Sequence, residues 1–122
     1  MATNYIGSGN EISAALNSDS ETWSSGGVVI MNNVIGVAIN DIPVGTTGPV
    51  AVEGEWKLPK NSSEAIDQYD LVVWDVSVGE FRAQGFSTAT GDITGGAICT
   101  VAAASDDTTV IVKLLPGKGA IA

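Results

Sequence analysis

The chain has 122 residues, of which 44% are apolar, and its 14 acidic and five basic residues give a formal net charge of −9. This length predicts one domain, residues 1–122, with a single hydrophobic core. The scattered basic residues argue against binding to nucleic acid or to an anionic membrane, because Lys and Arg are the residues that neutralise phosphates, and the acidity is interpreted as an aid to solubility.

The first half of the chain contains a predicted β-hairpin and a predicted alternating strand. Residues 28–31 and 34–39 are nearly continuous apolar runs separated by Asn32-Asn33. Asn tolerates the left-handed conformation of two-residue turns, and the continuous apolarity indicates that both faces are covered. Residues 50–58 alternate between apolar and charged side chains, which predicts one strand with Gly54 at a bulge or a close backbone approach.

The second half contains two further predicted hairpins. Residues 69–74 and 80–86 flank a turn at Val78-Gly79, and residues 97–103 and 109–115 flank Ser105-Asp106-Asp107. At most one short helical turn is expected, near residues 62–68, and the ends, residues 1–3 and 116–122, are expected to be loose. The pattern predicts an all-β fold, a small β-barrel or sandwich of short antiparallel strands.

The sequence carries no recognisable catalytic or metal-binding constellation. Histidine is absent, which removes the commonest general base and a common metal ligand. Cys99 is the only cysteine and lies in an apolar segment, where a buried side chain is the expected role. No apolar run reaches the ~18 residues of a membrane helix, and the N-terminus lacks the regions of a secretory signal. We therefore expect no enzyme, no cofactor, no metal and no membrane span.

The tryptophans are the remaining candidates for recognition. Trp56 and Trp74 lie on predicted strands, which favours core or inter-subunit packing. Trp23 lies in the polar segment 18–27, where it anchors either the loop or an interface, since aromatic residues are enriched at interface hot spots. Trp23 and Trp56 also support an alternative function, a carbohydrate- or receptor-binding β module on a virion or cell surface.

The order of segments resembles a family of phage capsid decoration, or cement, proteins encoded among head-morphogenesis genes. The resemblance covers about residues 4 to 115, and its most specific part runs from Glu53-Gly54 to Pro59-Lys60. The family often has Gly-Asp where this chain has Tyr69-Asp70, and the loop 18–25 is particular to this chain. The other matching segments are Asn4-Tyr5-Ile6 and residues 25–29, 34–38, 69–75 and 109–114.

The resemblance implies a structural virion protein that is made in the host cytoplasm and stabilises an assembled capsid. It would bind the major capsid protein at the outer surface, often as a homotrimer, and the family has no known catalytic residues to carry over. We expect segment 4–10 or an edge strand to make the contact, by adding a strand to a sheet. The candidate capsid or subunit interface residues are Asn4, Tyr5, Ile6, Trp23, Glu53, Glu55 and Trp56.

Overall fold

A computed structural model describes residues 9–122, and this part of the chain consists of β-strands, turns and connecting segments. Its ten strands form two antiparallel sheets, with the order β1-β4-β3-β2 in the first and β5-β9-β8-β6-β7 in the second, where β10 also pairs with β8. The strands are β1 Glu11–Leu16, β2 Val28–Met31, β3 Val34–Ala38, β4 Thr47–Ala51, β5 Glu55–Pro59, β6 Leu71–Asp75, β7 Glu80–Arg82, β8 Ile93–Val101, β9 Thr109–Leu114 and β10 Ala120–Ile121.

The predicted all-β class is confirmed, and the two sheets do not close into a barrel. No helix long and apolar enough to cross a membrane occurs within residues 9–122.

The hydrophobic core lies between the two sheets and is centred on the second. Ile35 and Val37 of β3 pack with the inward-facing residues of the second sheet, including Trp74 and Phe81, whose ring centroids are 4.8 Å apart at an interplanar angle of 70°. This near-perpendicular arrangement is one that aromatic pairs prefer. The main core therefore joins both sheets into one packed unit.

A second, smaller cluster covers the other face of the first sheet. Successive residues of a strand point to opposite faces, so Ala38 lies on the face opposite Val37. It packs there with Val29, Val50 and Ile42, which are all at most 2% exposed. The prediction that the 28–39 hairpin is covered on both faces is consistent with these two clusters.

The three predicted hairpins are present. Asn32 has φ 55° in the turn between β2 and β3, as the left-handed turn position requires. The β6–β7 hairpin closes through a 2.8 Å hydrogen bond from the Gly79 N–H to the Asp75 carbonyl oxygen. Its second strand ends at Arg82, four residues before the predicted end. The β8–β9 pair is joined by residues 102–108.

The prediction of one strand over residues 50–58 is wrong. The chain leaves β4 at Ala51 and begins β5 at Glu55, and Gly54 between them has φ +98°. This backbone conformation is one that residues with a side chain rarely adopt. Strand β4 pairs with β1 and β3, whereas β5 pairs with β9, so the segment crosses from one sheet to the other. Burial alternates as expected only along β5, since Val50, Ala51 and Val52 are all buried and residues 53–55 are all exposed.

Residues 62–68 agree with the expectation of at most one short helical turn, whereas the C-terminal end differs from expectation. Residues 62–68 contain turns and no helix, and the Asn61 Oδ1 accepts a 2.9 Å hydrogen bond from the Ser63 N–H, a local bond that competes with helix formation. The C-terminal segment 116–122, which was expected to be loose, ends in β10. Its Ala122 N–H donates to the Asp92 carbonyl oxygen over 2.8 Å. Residues 1–3, also expected to be loose, lie outside the described residues.

Candidate interaction surfaces

The segment that contains Trp23 is tied to the loop between β3 and β4. Asn17 is fully buried, and its Nδ2 donates to the carbonyl oxygens of Glu21 and Ile42 over 2.9 and 2.7 Å. Trp23 and Ile42 exchange two backbone hydrogen bonds of 3.0 and 2.8 Å. Loops 17–27 and 39–46 thus form one structure, which we call the loop end of the first sheet.

Trp23 acts as an anchor of the loop end. Its side chain is half-buried against the smaller hydrophobic cluster, and its indole N–H donates to the Asp19 carboxylate over 2.7 Å. A hollow of about 340 Å³ lies beside it, between Leu16 and the β2 residues Ile30 and Met31. The structure thus shows the loop-anchor role, and a role of Trp23 in an interface stays a prediction.

Glu53, Glu55 and Trp56 lie where the chain crosses between the sheets. Both carboxylates are exposed, whereas Trp56 is half-buried against the main core and donates its indole N–H to the Glu53 carbonyl oxygen over 2.9 Å. Trp23 and Trp56 therefore belong to two different hydrophobic clusters, so the candidate residues do not form one site. Asn4, Tyr5 and Ile6 lie outside the described residues.

The buried polar groups in the described region have structural partners. The Asp92 carboxylate is 1% exposed and accepts hydrogen bonds from the N–H groups of Val76 and Ala89 over 3.1 and 2.9 Å. Lys60 is 3% exposed, and its Nζ donates to three backbone carbonyl oxygens. Among residues 9–122 no group of three or more His, Cys, Asp or Glu residues is placed to hold a metal ion.

The shifted pKa values of Cys99 and Glu64 have plain structural causes, and the pKa of Arg82 is raised by its hydrogen bond to Glu64. Burial raises the pKa of the Cys99 thiol, as expected for a buried cysteine in its neutral form. Burial also acts to raise the pKa of Glu64, but hydrogen bonds from the Arg82 Nε and the Ala83 N–H, each 2.8 Å, outweigh it and lower this pKa. The Arg82 guanidinium lies 4.1 Å from the centre of the Phe86 ring, which fixes its orientation. These groups secure the fold and do not line a reactive pocket.

The outward face of the second sheet is an exposed surface that was not predicted. Leu71 and Val101 are 43% and 51% exposed, and Ile98 and Ile111 are partly exposed beside them. Each occupies the outward position of a strand whose inward residues fill the core. The only signal in the sequence was that these strands carry apolar residues at positions on both faces.

Charge is divided unevenly between the two sheets. Residues 1–56 contain six acidic residues and no Lys or Arg, so all five basic residues follow the crossover into the second sheet. Of these five, Lys60 is buried and Arg82 is paired with Glu64, whereas Lys57, Lys113 and Lys118 are exposed. The first sheet and its loop end therefore present only negative charge.

The model of the phage cement protein family matches residues 7–114 of the chain. The chain belongs to the phage cement protein family. This confirms the resemblance noted in the sequence, and the match spans both sheets of the fold. No curated protein and no solved structure shows significant similarity to this phage cement family member. A family of structural phage proteins implies a virion location and an association with the phage capsid.

Proposed function

We propose that the chain binds the outer surface of an assembled phage capsid through the major capsid protein and stabilises the shell without catalysing a reaction. It is made in the host cytoplasm and acts as a homotrimer. The observation that carries this proposal is the family match, which spans residues 7–114 and thus includes the complete first sheet and all but β10 of the second.

One edge of the first sheet, as residues 9–122 define it, supports a contact by strand addition. Strand β1 lies at this edge, and five of its six residues are exposed, with Ile12 and Leu16 at 42% and 57%. An edge strand leaves backbone groups without a partner, which another chain can pair with. Segment 4–10, the predicted contact segment, leads directly into β1. We therefore assign segment 4–10 together with the edge of β1 as the contact with the major capsid protein.

Stabilisation follows from selective binding. A protein that binds the assembled lattice and not its dissociated subunits shifts the equilibrium towards the lattice by mass action. A trimer that holds three neighbouring capsid subunits gains further, because its second and third contacts form at a high effective concentration. Weak individual contacts are then sufficient for tight attachment.

No structural observation favours the carbohydrate-binding alternative. Trp23 and Trp56, its only support, are half-buried in separate clusters, and both indole N–H groups are already bonded within the protein. A sugar platform requires an exposed aromatic face, whereas both tryptophans are partly covered by their hydrophobic clusters.

Co-sedimentation with purified capsids, before and after shell expansion, tests the proposal. We expect the protein to sediment with one of these shells and to raise its melting temperature. Deletion of residues 1–10 and the substitution Ile12→Asp should each abolish binding, whereas Val78→Asp, at an exposed apolar residue of the β6–β7 turn, should leave it unchanged. Absence of the wild-type protein from every shell pellet would refute the function. Unchanged binding by the deletion variant would refute the contact segment alone.

A further inference from the structure

The outward face of the second sheet carries a continuous apolar band. Leu71 of β6 lies opposite Ile98 of β8, and Val101 of β8 lies opposite Ile111 of β9. Directly opposed residues of antiparallel strands point to the same face, so these four side chains share one surface across three strands. We call this surface the open face, because no other strand of the described fold packs on it.

A hollow lies at each end of this band. One, of about 220 Å³, is lined by Val101 and Ile111 together with Lys57. The other, of about 380 Å³, lies between Leu71 and the ring of Phe86. The hollow beside Leu71 and Phe86 is mainly apolar, whereas the one beside Val101 and Ile111 is also lined by Lys57 and Asp107, so this sheet face offers positions for both apolar and charged side chains of a partner.

Positive charge borders the open face. Lys57 lies opposite Ile111, and Lys113 lies opposite Ile98 on one side and Glu55 on the other. Both lysines are exposed, and neither forms an ion pair in the described structure, where the recorded ion pairs involve Arg82. Glu55 lies opposite Lys113, and Asp107 lines the same hollow as Lys57, so the face carries two lysines beside two carboxylates. A partner with apolar side chains and further carboxylates would engage these lysines.

The loop end of the first sheet has the complementary composition. Leu16 and Val44 are 57% and 49% exposed there, and backbone hydrogen bonds of Asn17 to Thr46 and Gly45 hold the two chain segments side by side. The carboxylates of this loop end belong to Asp19, Glu21 and Asp41 and are all exposed. The loop end thus offers apolar side chains among negative charges, with no basic residue in residues 1–56.

We propose that the open face of one copy of this chain binds the loop end of the first sheet of a second copy. The inference deepens the self-association that forms part of the proposed function and rests on it. Because two different surfaces meet, the contact is heterologous and repeats head to tail, and it closes into a ring when the rotation between neighbours allows. Opposite charges bring the correct surfaces together and disfavour contacts between two open faces or two loop ends.

Exchange of charges between the two surfaces tests the inference without any capsid. One variant carries Lys57→Glu and Lys113→Glu on the open face, and the other carries Ser20→Lys and Glu21→Lys at the loop end, which leaves the hydrogen bond between Asp19 and Trp23 in place. Sedimentation velocity should show that the wild type self-associates and that each variant alone associates at least tenfold more weakly. An equimolar mixture should regain association, because each reversed surface then meets its opposite. Lys118→Glu, which reverses an exposed lysine outside the open face, should associate like the wild type.

Far-UV circular dichroism and tryptophan emission establish that each variant is folded before its association is compared. Three results would overturn the inference: a wild type that stays monomeric at all concentrations, open-face variants that associate normally, or a mixture that does not recover. Capsid co-sedimentation of the same proteins separates this from the proposed function. A monomeric wild type that binds capsids, with binding lost in the open-face variant, would show that the open face contacts the shell instead.

Discussion

The buried ammonium group of Lys60 holds two parts of the chain together, and its removal should destabilise the fold substantially. The Nζ donates to the carbonyl oxygens of Asn61, Ser105 and Asp107 over 2.6, 3.3 and 3.0 Å. The residue follows β5, and two of its acceptors lie in the β8–β9 connection, so the side chain fastens this connection to the end of β5. No carboxylate is paired with this lysine in the described structure.

The expected loss of stability on removal of the Lys60 ammonium group depends on two opposing contributions. Hydrogen bonds that involve a charged group contribute about 1.5–3 kcal/mol each, and the loss of a partner leaves the carbonyl oxygens unsatisfied. Burial of the ammonium group is itself unfavourable by several kcal/mol, and this term disappears when the charge is removed. For Lys60→Met, which keeps the length of the side chain, we expect a net loss of about 2–4 kcal/mol. This is a large share of the roughly 5–15 kcal/mol by which domains are stable.

Urea unfolding followed by tryptophan fluorescence measures this loss. We expect the midpoint to fall by about 1–2 M at an unchanged slope, and the melting temperature to fall by about 10 °C. Lys118→Met is the matched control, because this lysine is exposed, and its stability should stay within about 0.5 kcal/mol of the wild type. A Lys60→Met protein as stable as the control would show that desolvation cancels the three hydrogen bonds, and would refute the reasoning.

Two further predictions concern single side chains. Because the pKa of Glu64 is lowered in the fold, its contribution to stability is present above its unfolded pKa and is lost as the pH falls through the folded value. Glu64→Gln should therefore reduce the acid sensitivity of urea unfolding between pH 5 and pH 3, whereas Glu53→Gln should not; an unchanged pH profile would contradict the role of the Arg82 pair. Tyr69 has φ +75° and a side chain that is 73% exposed, so Tyr69→Gly should stabilise the protein by about 0.5–1 kcal/mol as left-handed strain is removed. A lower urea midpoint for Tyr69→Gly would contradict this.

The backbone conformation of Tyr69 gives a physical interpretation of the difference between this chain and the expected Gly-Asp pair. The resemblance seen in the sequence led us to expect Gly at the position of Tyr69, and the left-handed backbone there is one that favours glycine. The Tyr69 N–H donates to the Cys99 carbonyl oxygen over 2.7 Å, and Asp70 accepts from the Cys99 N–H over 2.8 Å. These two bonds join the start of β6 to β8 and hold the backbone in a conformation that tyrosine alone would rarely adopt.

The turn residues and the apolar segments beside them predicted the hairpins. These local features do not show which distant strands pair with each other. The turn residues Asn32 and Gly79 stand between strands that pair with each other, so the sequence near each turn contains the information. The crossover at Gly54 was missed because the apolar and charged residues of segment 50–58 alternate in the sequence as they would along one strand, although the segment belongs to two strands in different sheets. Strand β1 carries a register shift between Ile12 and Ala15, which interrupts the two-residue period that would have revealed it.

The exposed surfaces were harder to predict than the fold, because the exposure of a side chain depends on which distant segments of the chain pack over it. Ile98 and Ile111 lie in apolar segments, as the core residues do, and only the strand pairing shows that their side chains point outwards. Lys60, in turn, has the sequence environment of an exposed lysine, and only the β8–β9 connection buries it. The described acidic residues likewise include both buried and exposed side chains that the sequence alone does not distinguish. Asp92 is buried and serves the fold, whereas the carboxylates of the loop end are exposed, and no Lys or Arg occurs among residues 1–56.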